Sequence, residues 1–289
     1  MTALTKSGSI SVIGMGRVGR CLMLSLLEAG FHIHSFFNRT VSVAQGLADD
    51  FGKPIIKKFP ERKDDLGRII FVCVPDDVIS QVAEKLCGLS DEWSGYSFVH
   101  CSGARPAEDL DVLAAKGAQI ASFHPIQTFP IDPDPEIFRE IWISLQGDKD
   151  LLKLLERFAV SLGAKTVRVT AVEKQQLHIA AVFACNYMVT IAGAAEKLLP
   201  EENKSMELLA PLMRQTLDQI LAKGPDRALT GPLRRGDLQT LRNHMESLYE
   251  LKDLHDLYTS LGRYTVTLVK EMTSRPENID QISMLFETK

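Results

Sequence analysis

The chain has 289 residues, 45% of them apolar and 24% charged, so two globular domains with sizeable cores are expected. A formal net charge of −4 gives no reason to expect nucleic acid or an anionic membrane surface as a partner. Five scattered cysteines form no C-x-x-C pair, which argues against a disulfide framework and against a metal site. No apolar run is read as reaching the length of a membrane span, and MTALTKSGS lacks the apolar stretch of a signal peptide. The chain is therefore expected to be cytoplasmic, with no membrane partner.

Ile10 to Gly30 organises the first half. A short apolar run (Ile10, Val12, Ile13) is followed by a glycine turn, a helical apolar pattern (Val18, Leu22, Leu26, Leu27) and a stop at Gly30. The turn Gly14-Met15-Gly16-Arg17-Val18-Gly19 is G-x-G-x-x-G. Gly14 permits the tight turn, Gly16 lets a pyrophosphate approach bare backbone, and Gly19 lets the helix pack close to the strand. The helix start presents unpaired N–H groups and a positive dipole end to phosphates. Phe31 to Phe37 reads as the second strand of a βαβ unit and ends in Asn38-Arg39-Thr40. NAD-binding versions place an acid there for the ribose 2′-hydroxyl. An arginine beside hydroxyl and amide side chains suits a 2′-phosphate instead, so the expected cofactor is NADP(H). The competing reading makes Arg39 an ordinary surface charge.

The alternation continues. Val41 to Phe51 is helical, and Arg68 to Val74 is a continuous apolar run suited to a strand buried on both faces. Pro75-Asp76-Asp77 can cap a helix from Val78 to Leu86. Ser97 to His100 and Gln119 to Phe123 are further strands, with a helix near Glu108 to Lys116 between them. Ile141 to Gln146 and Lys165 to Val169 close the series around a helix from Leu151 to Leu162. Gly14, Asn38, Val74-Pro75, Ser102-Gly103 and His124 thus all fall at carboxyl ends of strands, the edge along which ligands bind in an open parallel sheet. Pro125 biases His124 toward an extended backbone. His124 is either a hydrogen-bonded structural histidine or a wall of the site facing the nicotinamide.

From Thr170 strand patterns disappear, so a Rossmann domain is assigned to residues 1–169 and a helical substrate and dimerisation domain to 170–289. Thr170-Ala171-Val172-Glu173 is a capping box, opening a helix that is read through to Leu199. Helices follow near Ser205 to Lys223, Asp237 to Leu248 and Asp253 to Met272, with Asp237 a candidate cap. Lys174 and His178 are four residues apart and so share a face, and Asn186 lies about 80° further round. Each has a bland alternative: a solvated lysine, a satisfied core histidine, an interhelical hydrogen bond. In the Gly/Pro loop from Ala228 to Asp237, Arg234 or Arg235 suits a substrate carboxylate or phosphate and Thr230 suits a hydrogen bond. Solvated loop charges are the alternative.

GMGRVG, FHPIQTFP, HIAAVFACNYMV and LTGPLRRGD, in this order over essentially the full length, resemble the Rossmann-like proteins that carry the helical domain of unknown function 2520. These are similar in plan to pyrroline-5-carboxylate reductase, ketopantoate reductase and the 6-phosphogluconate dehydrogenase superfamily. The resemblance implies NAD(P) binding, a helical dimerisation domain and a polar catalytic cluster on the first helix of that domain, the region of Lys174, His178 and Asn186. The lysine-then-asparagine spacing of β-hydroxyacid dehydrogenases is not reproduced, since the fourth residue after Lys174 is His178. The glycine-serine motif of pyrroline-5-carboxylate reductase is also missing, with Phe183-Ala184-Cys185-Asn186 in its region.

The function expected is hydride transfer between NADP(H) and a small carbonyl or imine in a cleft between the domains. His178 is the first choice of proton donor and Lys174 the second, with Asn186 orienting and Arg234 anchoring a distal acid. The alternative is an NADP-binding sensor or scaffold without turnover.

Overall fold

The computed structural model describes residues 9–40, 55–203 and 205–287. The expected helix Val41 to Phe51 and residues 1–8 lie outside them. The chain forms two compact units, Met1–Asn186 and Tyr187–Lys289.

The first unit is built on an eight-stranded sheet. Its strands are β1 (Ile10–Ile13), β2 (Ile33–Phe37), β3 (Ile55–Lys57), β4 (Ile69–Val72), β5 (Ser97–His100), β6 (Gln119–Pro125), β7 (Trp142–Gly147) and β8 (Lys165–Arg168), in the order β3-β2-β1-β4-β5-β6-β7-β8. The first six run parallel; β7 is antiparallel to β6 and parallel to β8. Every residue of β1, β4 and β5 is buried, the signature of central strands covered on both faces. One face packs under α1 (Arg17–Glu28) and α3 (Lys149–Ser161), through residues such as Leu22, Leu26, Phe71, Phe123, Leu155 and Phe158. The other packs under α2 (Ile79–Cys87), around Ile70, Ile79, Leu86, Trp93 and Phe98. Burying each of these side chains stabilises by about 1.5–3 kcal/mol.

The expected Asp cap of α2 is corrected. Asp76-Asp77-Val78 winds into a 3₁₀ turn instead, Val78 N–H bonding the Pro75 carbonyl at 3.1 Å, so Val78 occupies the cap and no side chain bonds there. The Thr170 capping box forms as expected: Thr170 Oγ1 accepts from Glu173 N–H at 3.2 Å, and Glu173 Oε2 accepts from Thr170 N–H at 2.7 Å. It opens α4 (Ala171–Ala184). The single long helix does not. Cys185 leaves helical geometry at φ −120° and ψ −70°, and α5 (Asn186–Glu196) begins after it.

The second unit holds α6 (Ala210–Lys223), α7 (Leu238–Leu248), α8 (Lys252–Glu271) and α9 (Ile279–Leu285), with a core of Leu233, Leu241, Val266, Val269, Ile279, Ile282 and Phe286. Asp237 stands at the start of α7 but does not cap it, because Arg235 takes its carboxylate at 2.8 Å and 3.0 Å. By length and composition Ala171–Glu196 is apolar enough to cross a membrane, with mean hydropathy 1.6. That corrects the expectation that no segment reaches span length; its alanines and glycine read as a small-residue helix rather than as an apolar run.

Candidate active site

The glycine corner is built as its sequence requires. Gly14 adopts φ +96°, and a Cβ there would stand 2.4 Å from the Cys73 carbonyl oxygen. A Cβ on Gly19 would stand 2.0 Å from the Gly14 carbonyl oxygen, so the start of α1 can meet β1 only without a side chain. Gly16 differs: a Cβ there meets nothing within 4 Å. Gly16 is also the N-cap of α1, with no side-chain cap and no acid in the first turn. Bare, open backbone at an uncapped helix N-terminus fits an anionic diphosphate. Arg17 is exposed beside it, Met15 is buried and Val18 half-buried.

Asn38 ties the end of β2 to this corner. Its Oδ1 accepts from Met15 N–H at 3.2 Å and its Nδ2 donates to the Thr40 carbonyl at 2.8 Å. Arg39 and Thr40 are exposed at the same tip. The segment that follows β6 is fastened to α1 as well: Arg20 Nη2 donates to the Ile131 carbonyl at 2.7 Å and Ser25 Oγ to the Pro135 carbonyl at 2.5 Å.

A cavity of about 260 Å³ opens along the carboxyl ends of β4, β5 and β6, beside Val18 of the glycine corner. Among its lining residues are Val74, Asp76, Ser102, Gly103, His124 and His178. A larger cavity, about 420 Å³, holds none of the sequence-predicted residues, and its Arg139 is paired with Glu136 at 2.5 Å.

Gly103 sits between the two imidazoles. A Cβ on it would lie 2.5 Å from His124 Nε2 and 2.7 Å from His178 Nδ1, so only glycine lets both rings close on this turn. The rings stand edge to face with centroids 6.0 Å apart. His124 Nδ1 shares a hydrogen bond with Ser144 Oγ at 3.2 Å, across the antiparallel β6–β7 pair. Burial, with the nearby charge of Lys174 and the other histidines, lowers the His124 pKa to about 3, so the ring is neutral at physiological pH. His178 Nδ1 is buried with no hydrogen-bond partner among the described residues. His178 lines the cavity, and a buried nitrogen left without a partner beside it is a group that a bound ligand would satisfy.

Two buried groups hold the Ser102 turn from behind the cavity lining. Lys174 is 1% exposed and donates from Nζ to the Ser102 carbonyl at 2.6 Å. Burial draws its pKa down to about 8, which puts proton exchange within reach of neutral pH. His100, fully buried, accepts at Nδ1 from Ser102 N–H (3.2 Å) and donates at Nε2 to the Pro106 carbonyl (3.0 Å). That pairing fixes a neutral tautomer, and burial lowers its pKa to about 4. Ser102 is thus gripped from both sides.

The structure therefore brings Ser102, Gly103, His124, Lys174 and His178 together. Asn186 does not line the cavity; it is exposed beyond the break at Cys185. Thr230 is exposed in the second unit, and Arg234 there donates to the Ser274 carbonyl at 2.6 Å. His100, Ser144 and the Cys73–Cys101 pair were not singled out from sequence as site residues. Their one signal was position, since His100, Cys73 and Cys101 end or follow strands that carry the site.

The sheet order and the glycine corner define a Rossmann-like fold of the dinucleotide-binding type, followed by a helical C-terminal region. Residues 9–102 match the family model described as NADP oxidoreductase, coenzyme F420-dependent, and residues 141–265 match that of DUF2520. Among solved structures it is similar to Bacteroides fragilis BF3122, provisionally described as an NADP oxidoreductase, at 25% identity over 89% of this chain and 97% of that one (TM-score 0.72). It is also similar to protein TM1727 from Thermotoga maritima, at 24% identity over 95% and 98% (TM-score 0.68). A reductive aminase from Aspergillus terreus, solved with NADPH and ethyl levulinate, shares the fold at 14% identity over 97% and 98% (TM-score 0.65). No curated protein matches the chain at a significant level.

Proposed function

We propose that the chain is an NADPH-dependent oxidoreductase acting on a small carbonyl or imine. The observation that carries this reading is the cavity beside the glycine corner, lined by His124, His178 and Ser102, with buried Lys174 holding the Ser102 carbonyl. The N–H groups at the start of α1 and Arg17 would hold the pyrophosphate, and Asn38, Arg39 and Thr40 the 2′-phosphate. NADPH, when bound, supplies the hydride. The chain's own work is then a proton. His178 Nδ1, lacking a partner, delivers it to the substrate oxygen or nitrogen, while neutral His124 orients the reacting group by hydrogen bonding. Lys174 sets the local charge and holds the Ser102 turn.

Fluorescence titration with NADPH and NADH, followed by a panel of keto acids and cyclic imines, tests the reading. NADPH is expected to bind more tightly, and Arg39→Asp to reverse the preference by about tenfold. If Arg39→Asp leaves NADPH preferred, the 2′-phosphate assignment is wrong. His178→Ala is expected to lower kcat by about a hundredfold with NADPH affinity kept. Tight binding with no turnover on any compound would favour a nucleotide sensor.

The same reading pairs two copies of the chain. Leu212, Leu217, Ile220 and Leu221 are 65%, 42%, 40% and 77% exposed on α6, and Met188, Val189 and Ile191 are exposed on α5. Large apolar side chains left exposed in this number on two helices support an interface. We read it as a protein–protein face rather than a lipid-facing one, because Lys174 on the adjoining α4 is anchored on Ser102 within the sheet unit. Sedimentation is expected to give about twice 32.1 kDa, and Leu217→Glu to shift the mass to that of one chain. A monomer at micromolar concentration would refute the pairing.

A further inference from the structure

Two thiols line the same cavity, and the proposed reaction uses neither. Cys73 and Cys101 are each the residue that follows a strand, and β4 and β5 are parallel neighbours in which Val72 is in register with His100. The ladder continues one step further, Cys101 N–H bonding the Val72 carbonyl at 3.4 Å. The two cysteines are therefore abreast on adjacent strands, at a spacing of about 4.8 Å that falls within the Cα separations a disulfide spans. Their side chains turn to the same face, with Sγ atoms 3.6 Å apart. Closing that gap to a covalent bond moves the sulfurs by only about 1.5 Å in total, a side-chain rotation rather than a backbone shift.

What surrounds the pair gives it a consequence. A Cβ on Gly19 would lie 3.2 Å from Cys73 Cβ, and one on Gly14 would lie 2.4 Å from the Cys73 carbonyl oxygen. Cys73 N–H also bonds the Ile13 carbonyl at 2.7 Å. Cys73 is thus the back wall of the glycine corner, and Cys101 leads directly into the Ser102-Gly103 turn.

We infer that Cys73 and Cys101 form a dithiol site that small-molecule disulfides oxidise to an internal disulfide, closing the glycine corner to nucleotide. The Cys101 thiolate attacks one sulfur of the small disulfide, whose other half leaves as a thiolate and takes a proton. Cys73 then loses its proton and attacks Cys101 Sγ, expelling the second small thiol. Two protein thiols are oxidised and one small disulfide is reduced to two thiols. The order follows from the Cys73 thiol, which its hydrogen bond to Cys101 and its burial push well up, making it the slower attacker. Closure to nucleotide rests on the NADPH reading; the bond itself does not.

The test treats the full chain with hydroxyethyl disulfide. Intact mass is expected to fall by about 2 Da and free thiols to drop by two of the five cysteines. Cys73→Ser and Cys101→Ser should each abolish the mass loss. Cys87→Ser, which removes the other cysteine between Lys85 and Arg105, should preserve it. NADPH affinity of the oxidised wild type is expected to fall about tenfold or more and to return with dithiothreitol. Stable mixed adducts without mass loss, or a disulfide that persists in Cys73→Ser, would overturn the site, and the wild-type mass and thiol count decide this even if a variant misfolds. A disulfide that leaves NADPH affinity unchanged would overturn the closure alone. Failure of the reduced protein to bind NADPH would sink the nucleotide reading and leave the dithiol standing.

Discussion

Alanine at position 16 is expected to weaken NADPH binding roughly a hundredfold, about 2.7 kcal/mol, without lowering the melting temperature. The backbone there has φ −72° and ψ −169°, which alanine adopts freely, and its Cβ would meet nothing within 4 Å. Replacing glycine at a compatible site stabilises by about 0.4–1 kcal/mol through the unfolded chain. The new methyl group stands only where a diphosphate would come. Gly19→Ala is the counterpart: its Cβ at 2.0 Å from the Gly14 carbonyl forces α1 away from β1, destabilising by about 1–3 kcal/mol and removing binding with it. Calorimetry and thermal melts on the pair separate the two roles. Gly16→Ala that binds NADPH as the wild type does would refute the diphosphate assignment.

Acid is expected to undo the first unit well before its carboxylates account for it. His124 and His100 have folded pKa values of about 3 and about 4, both below the ordinary histidine value of 6.5. The unfolded chain therefore takes up protons first as pH falls. The stability tied to each ring is complete above pH 6.5 and is lost progressively below it. At pH 4 each ring has forfeited on the order of 3 kcal/mol, and the two together approach the whole stability of a typical domain. Lysine lies on the same side of the balance: the Lys174 charge helps lower both histidines. Urea midpoints at pH 7, 5.5 and 4 check this, with His100→Asn and His124→Asn each expected to flatten the decline. A wild-type midpoint unchanged between pH 7 and 5 would contradict it.

Much of this architecture was legible because burial on both faces leaves a plain mark. RIIFVCV reads as a strand buried on both faces, and Gly14, Gly16 and Gly19 stand at the spacing a strand–helix corner needs. The capping box at Thr170 was equally local, two side chains three residues apart, and formed as written. Direction was not legible. Nothing in WISLQG records that β7 runs against β6, yet that reversal is what sets Ser144 beside His124. Nor did the sequence mark the break at Cys185, where neither glycine nor proline interrupts the pattern, so the angular position given to Asn186 assumed a helix that had already ended. Lys174 was the sharpest case. A helical lysine is usually solvated; this one is buried because α4 docks on the Ser102 turn, a contact 72 residues away in the chain. His100 escaped notice for a different reason: its partners, two and six residues on, are local, but they meet the ring only through the turn after β5.

The bonds from Arg20 and Ser25 to Ile131 and Pro135 have one more effect. They suspend the segment that carries Gln127 and Phe129 from the very helix whose first turn faces the diphosphate. That segment has already surrendered its conformational freedom on folding, so an arriving ligand meets a rampart set in advance and loses less entropy in ordering it.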